Sequence, residues 1–195
     1  MERQALAAGA RLEIRGGWSV AVCYGSPEDV AVRCREAVGW ADVSPLHKLE
    51  IQGGADELHA ACGERLELGR ATVYRGAMWC PLTPERALVI GAPSRDATTV
   101  VDVTTVLAAL TLVGPLARET IAGFCAIDLR PQVTPVLGVR PGSIARQPGI
   151  VVREAADRYL LLFGWAIAGY MWTVVEDAAR AIGGGPVGLE ALARA

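Results

Sequence analysis

The stretch Asp42-Val43-Ser44-Pro45-Leu46-His47-Lys48-Leu49-Glu50-Ile51-Gln52-Gly53 decides how this chain is read, because it recurs. About 60 residues later, Asp102-Val103-Thr104 is followed by Leu107, Leu110, Leu112 and Gly114, and the spacings agree once one residue is inserted in the second copy. Each copy then runs into helical sequence, ending near Cys62 and Cys125. A unit of strand, turn, strand, glycine turn and helix is too long for a solenoid repeat. Two copies predict a duplicated α+β unit packed about a pseudo-two-fold axis. Asp42 and Asp102 fall at equivalent places. Each carboxylate is expected to accept backbone N–H groups of the turn after it. A paired acidic site would require the two to converge across the axis.

Outward from the repeat, local signals mark four helices. Ser26-Pro27-Glu28-Asp29 supplies an N-cap, a first-turn proline and two acids at the positive helix end. Ala55 to Cys62 is closed by Gly63, and Pro115 opens a third helix with Leu116, Ile121 and Phe124 inward. The fourth runs from about Ala166 to Ile182, with Ile167, Met171, Val174, Ala178 and Ile182 towards the core. Trp172 then projects off that face towards Glu176 and is expected to be an interface anchor or a lid on the core edge. Strands are expected at Lys48–Gln52, Ala71–Tyr74, Ala87–Gly91, Thr98–Val103, Leu110–Val113, Gly149–Arg153 and Tyr159–Phe163. Helices and strands are interspersed without regular βαβ spacing, so the fold class is α+β with antiparallel sheets. The divisions are a first half over 1–95, a second over 96–182 and a tail over 183–195, the halves forming one unit.

The chain has 195 residues, of which 52% are hydrophobic and 21% charged, with a net charge of -2. Its mean hydropathy is +0.31. This apolar content excludes intrinsic disorder, and the charge gives no electrostatic footprint for nucleic acid. The longest uncharged run lies between Arg158 and Glu176. Gly164 interrupts it, and it reads as a strand entering an amphipathic helix rather than a membrane span. Met1-Glu2-Arg3-Gln4 lacks a long apolar segment, so a cytoplasmic protein is expected. Five cysteines without C-x-x-C spacing argue against a disulfide framework or zinc ribbon. Only Cys80, in Met78-Trp79-Cys80-Pro81, is a candidate for a reactive thiol. His47 and His59 are the only histidines, and no metal site is expected. Phosphate-binding glycine loops and a G-x-S-x-G elbow are absent.

Several segments in order resemble the superfamily of the glycine-cleavage T-protein, the folate-dependent aminomethyltransferases. They are Gly17-Trp18 through Cys23-Tyr24-Gly25, Gly39-Trp40-Ala41-Asp42-Val43-Ser44 with the strand to Gly53, and Leu112-Val113-Gly114-Pro115-Leu116-Ala117. Leu82-Thr83-Pro84-Glu85, Val101-Asp102-Val103-Thr104, Ala126-Ile127-Asp128-Leu129-Arg130-Pro131 and Tyr170-Met171-Trp172 are most similar to the small gamma subunit of heterotetrameric sarcosine oxidase. The resemblance covers about residues 10 to 182. It implies two pseudo-symmetric ferredoxin-like α/β halves, lacking the family's C-terminal barrel.

Departures from the family pattern shape the functional expectation. Where the T-protein carries an acidic pair after a glycine, this chain reads Gly76-Ala77-Met78-Trp79-Cys80-Pro81. Its later Tyr-Thr-Gly-Glu segment corresponds to Glu154-Ala155-Ala156-Asp157. The resemblance therefore implies an accessory subunit that is not catalytic alone, docked on a flavin- and folate-dependent amine oxidase, with a degenerate folate site. The alternatives are a stand-alone enzyme or tetrahydrofolate-binding protein that uses the cleft between the halves, and a homodimeric scaffold. For a cleft, Asp42, His47 and Glu154 are the candidate acid–base residues. Trp40, Tyr74 and Trp79 are the candidate cofactor contacts.

Overall fold

A computed structural model describes residues 1–91 and 99–193 of the chain. The first residue of the strand expected at Thr98–Val103, and the boundary expected between residues 95 and 96, lie outside the described residues. In chain order the elements are α1 (Glu2–Ala7), β1 (Ala10–Arg15), β2 (Trp18–Tyr24), α2 (Pro27–Glu36), β3 (Gly39–Asp42), β4 (Lys48–Gln52), α3 (Ala55–Cys62), β5 (Thr72–Tyr74), β6 (Ala77–Thr83), β7 (Arg86–Gly91), β8 (Thr99–Asp102), β9 (Leu107–Val113), α4 (Ala117–Ala122), β10 (Val139–Ile144), β11 (Gln147–Ala155), β12 (Arg158–Gly164), α5 (Ala168–Arg180), β13 (Gly185–Pro186) and α6 (Leu189–Leu192). A single 3-10 turn, Trp165–Ile167, leads into α5.

Among the described residues, three sheets result. β1 and β2 form a hairpin, six strands run in the order β10-β11-β12-β9-β3-β13, and five run β5-β6-β7-β4-β8. Every pairing is antiparallel except that of β13 with β3. The α+β class with antiparallel sheets is thus as expected. The sheets, however, exchange strands across the chain's midpoint. β3 joins the six-stranded sheet beside β9, and β8 joins the five-stranded sheet beside β4.

Side-chain alternation along the strands builds a stack of four layers. From the six-stranded sheet Trp40, Leu110, Leu112, Tyr159, Leu161 and Phe163 meet Ile121 of α4 and Met171, Val175 and Ala179 of α5. The opposite face sends Ala41, Ala109, Leu160 and Leu162 against Cys80, Leu88 and Ile90 of the five-stranded sheet. The far side of that second sheet packs Ile51, Trp79 and Val89 on Leu58, Ala61 and Cys62 of α3. Both sheets are therefore covered on both faces, which explains strands that read as continuous apolar runs.

Turn chemistry fixes the joints. Ser26 Oγ accepts the Asp29 N–H at 3.1 Å, the expected cap of α2. Gly114 sits at φ +126°, and a Cβ there would lie 2.5 Å from the Ala37 carbonyl oxygen, so glycine is required where β9 turns towards α4. The final segment is more than a tail, because it adds β13 to the six-stranded sheet. The Val187 N–H donates to the Trp40 carbonyl at 2.8 Å, and a Cβ on Gly188 would collide with the Val22 carbonyl.

The last helix is rotated from its expected setting. Its buried residues are Met171, Trp172, Val175 and Ala179, whereas Ile182 is exposed. Trp172 is fully buried, so its assignment as an interface anchor is corrected. Its indole N–H donates to Glu176 Oε2 at 3.1 Å, one turn on. That bond satisfies the polar edge and lets the ring enter the core. It packs edge-on against Trp40, with centroids 6.0 Å apart and planes at 72°.

Candidate functional site

The repeated Asp-x-Ser/Thr turns sit at the joint between the sheets and mirror each other bond for bond. Asp42 Oδ1 accepts the Ser44 N–H at 2.9 Å, and Asp102 Oδ1 accepts the Thr104 N–H at 2.8 Å. Each turn then clamps the strand of the other copy. The Ala109 N–H donates to Ser44 Oγ at 3.0 Å while the Val43 N–H donates to the Ala109 carbonyl at 3.0 Å. Likewise the Lys48 N–H donates to Thr104 Oγ1 at 3.0 Å, and the Val103 N–H to the Lys48 carbonyl at 2.9 Å. Both aspartates thus take the expected turn role, and the hydrogen bonds of the two copies correspond.

This mirroring makes Lys48 and Ala109 equivalent, and there the symmetry breaks. Lys48 is fully buried, and its Nζ donates to the carbonyls of Ser44 and Leu46, each at 2.7 Å. Burial lowers its pKa from 10.5 to about 8, against the opposing pull of the Asp42 and Asp102 charges. Asp102 is held below the usual carboxylate range, chiefly by its hydrogen bonds with Thr104 and secondarily by His47 and Lys48.

The two aspartates differ in setting. Asp102 is exposed near His47, which is itself exposed at the first turn. Asp42 is half-buried and lines a cavity of about 300 Å³, together with Trp18, Ser44, Thr105, Trp165 and Glu2. A larger cavity of about 550 Å³ lies between β2, α2 and α6, walled by Cys23, Cys34 and Ala191.

The remaining candidates are scattered through the layers. Trp40 is buried on the helix-covered face of the six-stranded sheet, and Trp79 is buried beneath α3. Tyr74 is half-buried at the edge of that same layer, with Arg75 over its ring at 5.1 Å. Glu154 pairs with Arg158 at 3.1 Å, yet burial pushes its pKa up. Burial also pushes the Cys80 thiol up to about 12, which leaves it inert rather than reactive. His59 is exposed on α3. Of the six cleft candidates, Asp42 alone lines the 300 Å³ cavity.

Sequence reasoning missed three participants. Lys48 reads as a polar strand start, and its only signal is the alanine standing opposite it in the repeat. Trp18 and Trp165 carried no pattern that paired them.

No protein-family model matches the chain. No curated protein matches it either. The layered architecture with its paired turns is a T-protein-like fold, shared with a chain of a heterotetrameric sarcosine oxidase. Among solved structures, the chain is similar to one in the heterotetrameric sarcosine oxidase from Corynebacterium sp. U-96, in complex with pyrrole 2-carboxylate. The TM-score is 0.67 and the identity 20%, over 74% of this chain and 84% of that one. It is also similar to glycine cleavage system aminomethyltransferase T from Bartonella henselae. There the TM-score is 0.78 and the identity 17%, over 97% of this chain and 58% of that one. Among the described residues, no helix is long and apolar enough to cross a membrane.

Proposed function

We propose that this protein is an accessory subunit of a flavin- and folate-dependent amine oxidase, carrying a degenerate folate site and no catalytic centre of its own. The observation that supports this reading is the closed interior. Ala41, Cys80, Leu88, Val113, Leu160 and Leu162 fill the space between the two sheets. Glu154, whose charge reaches Cys80 in that layer, is paired with Arg158. A pterin needs buried polar partners, and a packed apolar layer supplies none. The likeness to a chain of a heterotetrameric oxidase, most of whose length is covered, points to subunit partners.

Co-expression with large oxidase subunits from the same source, followed by affinity capture and size-exclusion chromatography with light scattering, tests the docking. A stoichiometric complex is expected. A stable monomer that captures none of them would overturn it. Titration with a reduced folate, followed by tryptophan fluorescence, tests the degenerate site separately. Saturable binding would refute that part and favour the folate-binding alternative.

A further inference from the structure

We propose that the cavity beside the first Asp-x-Ser turn binds a small organic ammonium ion. This inference is independent of the docking reading, because it concerns a different surface and needs no partner subunit. The starting point is the broken symmetry of the twin turns. Both aspartates do the same structural work through one oxygen, but only Asp42 also lines a cavity. Its other oxygen accepts no hydrogen bond from the described residues.

The chemistry of the walls selects the ligand. Among the described residues, the side chains bordering the cavity include two carboxylates, Asp42 and Glu2, and no lysine, arginine or histidine, while Met1 brings its α-amino group to the same wall. The nearest buried cation is Lys48, and its Nζ hydrogen bonds go to the Ser44 and Leu46 carbonyls rather than to Asp42. A cation would find an available carboxylate oxygen.

Two indoles complete the site. Trp18 is half-buried at the start of β2, and Trp165 is 66% exposed. Both border the same cavity as Asp42. Trp165 directly follows β12. Its backbone N–H donates to the Val106 carbonyl at 3.0 Å, which ties it to the tip of the second turn. Indole rings beside a carboxylate are side chains able to recognise an alkylammonium ion by cation–π attraction. A volume of about 300 Å³ lies at the lower end for ligand pockets and suits an ion of a few heavy atoms.

The test titrates the full chain with tetramethylammonium chloride, following tryptophan fluorescence and the indole N–H resonances. Sodium chloride controls for ionic strength, and neopentyl alcohol serves as the neutral isostere. Saturable binding is expected, with shifts confined to Trp18 and Trp165. Asp42→Asn keeps an acceptor for the Ser44 N–H, so the turn is retained while the charge is lost. This variant and Trp165→Ala, a change at an exposed position, are each expected to weaken binding about tenfold or more. The proposal is overturned if no saturation occurs below about 100 mM, if the neutral isostere binds equally well, or if both folded variants bind like the parent. Should Asp42→Asn fail to fold by circular dichroism, Trp165→Ala and the isostere still decide.

Discussion

Replacing Lys48 by methionine separates a buried charge from everything else that titrates in alkali. The folded chain releases the Lys48 proton at about pH 8, whereas an unfolded lysine holds it to 10.5. Between those values the unfolded state binds more protons, so linkage requires stability to rise with pH across that window. Below about pH 8 the ammonium is charged in both states, and its burial is a cost. The gap between the two pKa values, at about 1.4 kcal/mol per pH unit, corresponds to roughly 3 kcal/mol. Buried thiols and phenols act in the opposite sense. Cys80, Cys34 and Tyr159 are all raised by burial, hold their protons longer when folded, and lower stability as the solution becomes alkaline. They are common to both proteins, so the difference between parent and Lys48→Met isolates the lysine. Ala109 fills the equivalent place across the pseudo-axis, so an uncharged side chain is compatible with the turn. Urea unfolding followed by tryptophan fluorescence, from about pH 7 to about pH 10.5, is the assay. With a slope near 2 kcal/mol/M, the parent's midpoint should gain roughly 1.5 M on the variant over that range. Parallel curves for the two proteins would refute the argument.

Three further outcomes follow from the packing. Trp172→Ala should lose about 3–5 kcal/mol in denaturant unfolding, as for a core aromatic, and a loss below about 1 kcal/mol would restore the surface reading. Ser44→Ala and Thr104→Ala strip a partner from the buried N–H groups of Ala109 and Lys48 respectively. Each should cost about 1–3 kcal/mol, and the two costs should be similar if the turns are equivalent. Gly188→Ala forces the last segment off β2, and limited proteolysis should then cleave near residue 183 well before the sheets unfold.

What was legible in the sequence is what local hydrogen bonding dictates. An Asp-x-Ser or Asp-x-Thr turn needs only its own side chains, so the paired turns could be read and aligned. The cap at Ser26 and the left-handed Gly63 likewise bracket α2 and α3 within a residue. What tertiary packing decides was not legible. The expected stripe through Ile167, Val174 and Ile182 runs beside the buried stripe through Trp172, Val175 and Ala179, and α5 stops short of Ile167 and Ile182 at its two ends. Only the sheet beneath chooses between them. β6 hid behind Pro81, which sits in a strand paired on both sides and is accommodated by a register shift between Pro81 and Thr83. β3 and β13 span four and two residues, too short for any period to show. Of the site, Asp42 was legible and its cavity was not. Trp18 and Trp165 come from elements nearly 150 residues apart, and nothing local in either segment refers to the other.

The stack of four layers also changes what the apolar composition means. A content of 52% hydrophobic residues is high for a chain of this length and could signal a partner surface. Here it fills three interior layers, because each sheet is covered on both faces. Trp172, which would have marked such a surface, is consumed by the innermost contact with Trp40. The docking reading therefore draws no support from composition and rests on the fold likeness and the closed interior. Any partner must be met by the apolar side chains that stay in water. Ile14 on the β1–β2 hairpin and Val73 on β5 are the most exposed of these away from the proposed ammonium site, at 74% and 59%. Both lie on strands that end a sheet, where unpaired backbone groups are available to another chain. An interface built there would combine strand pairing with an apolar anchor, and Ile14→Lys or Val73→Lys should weaken it without disturbing the core.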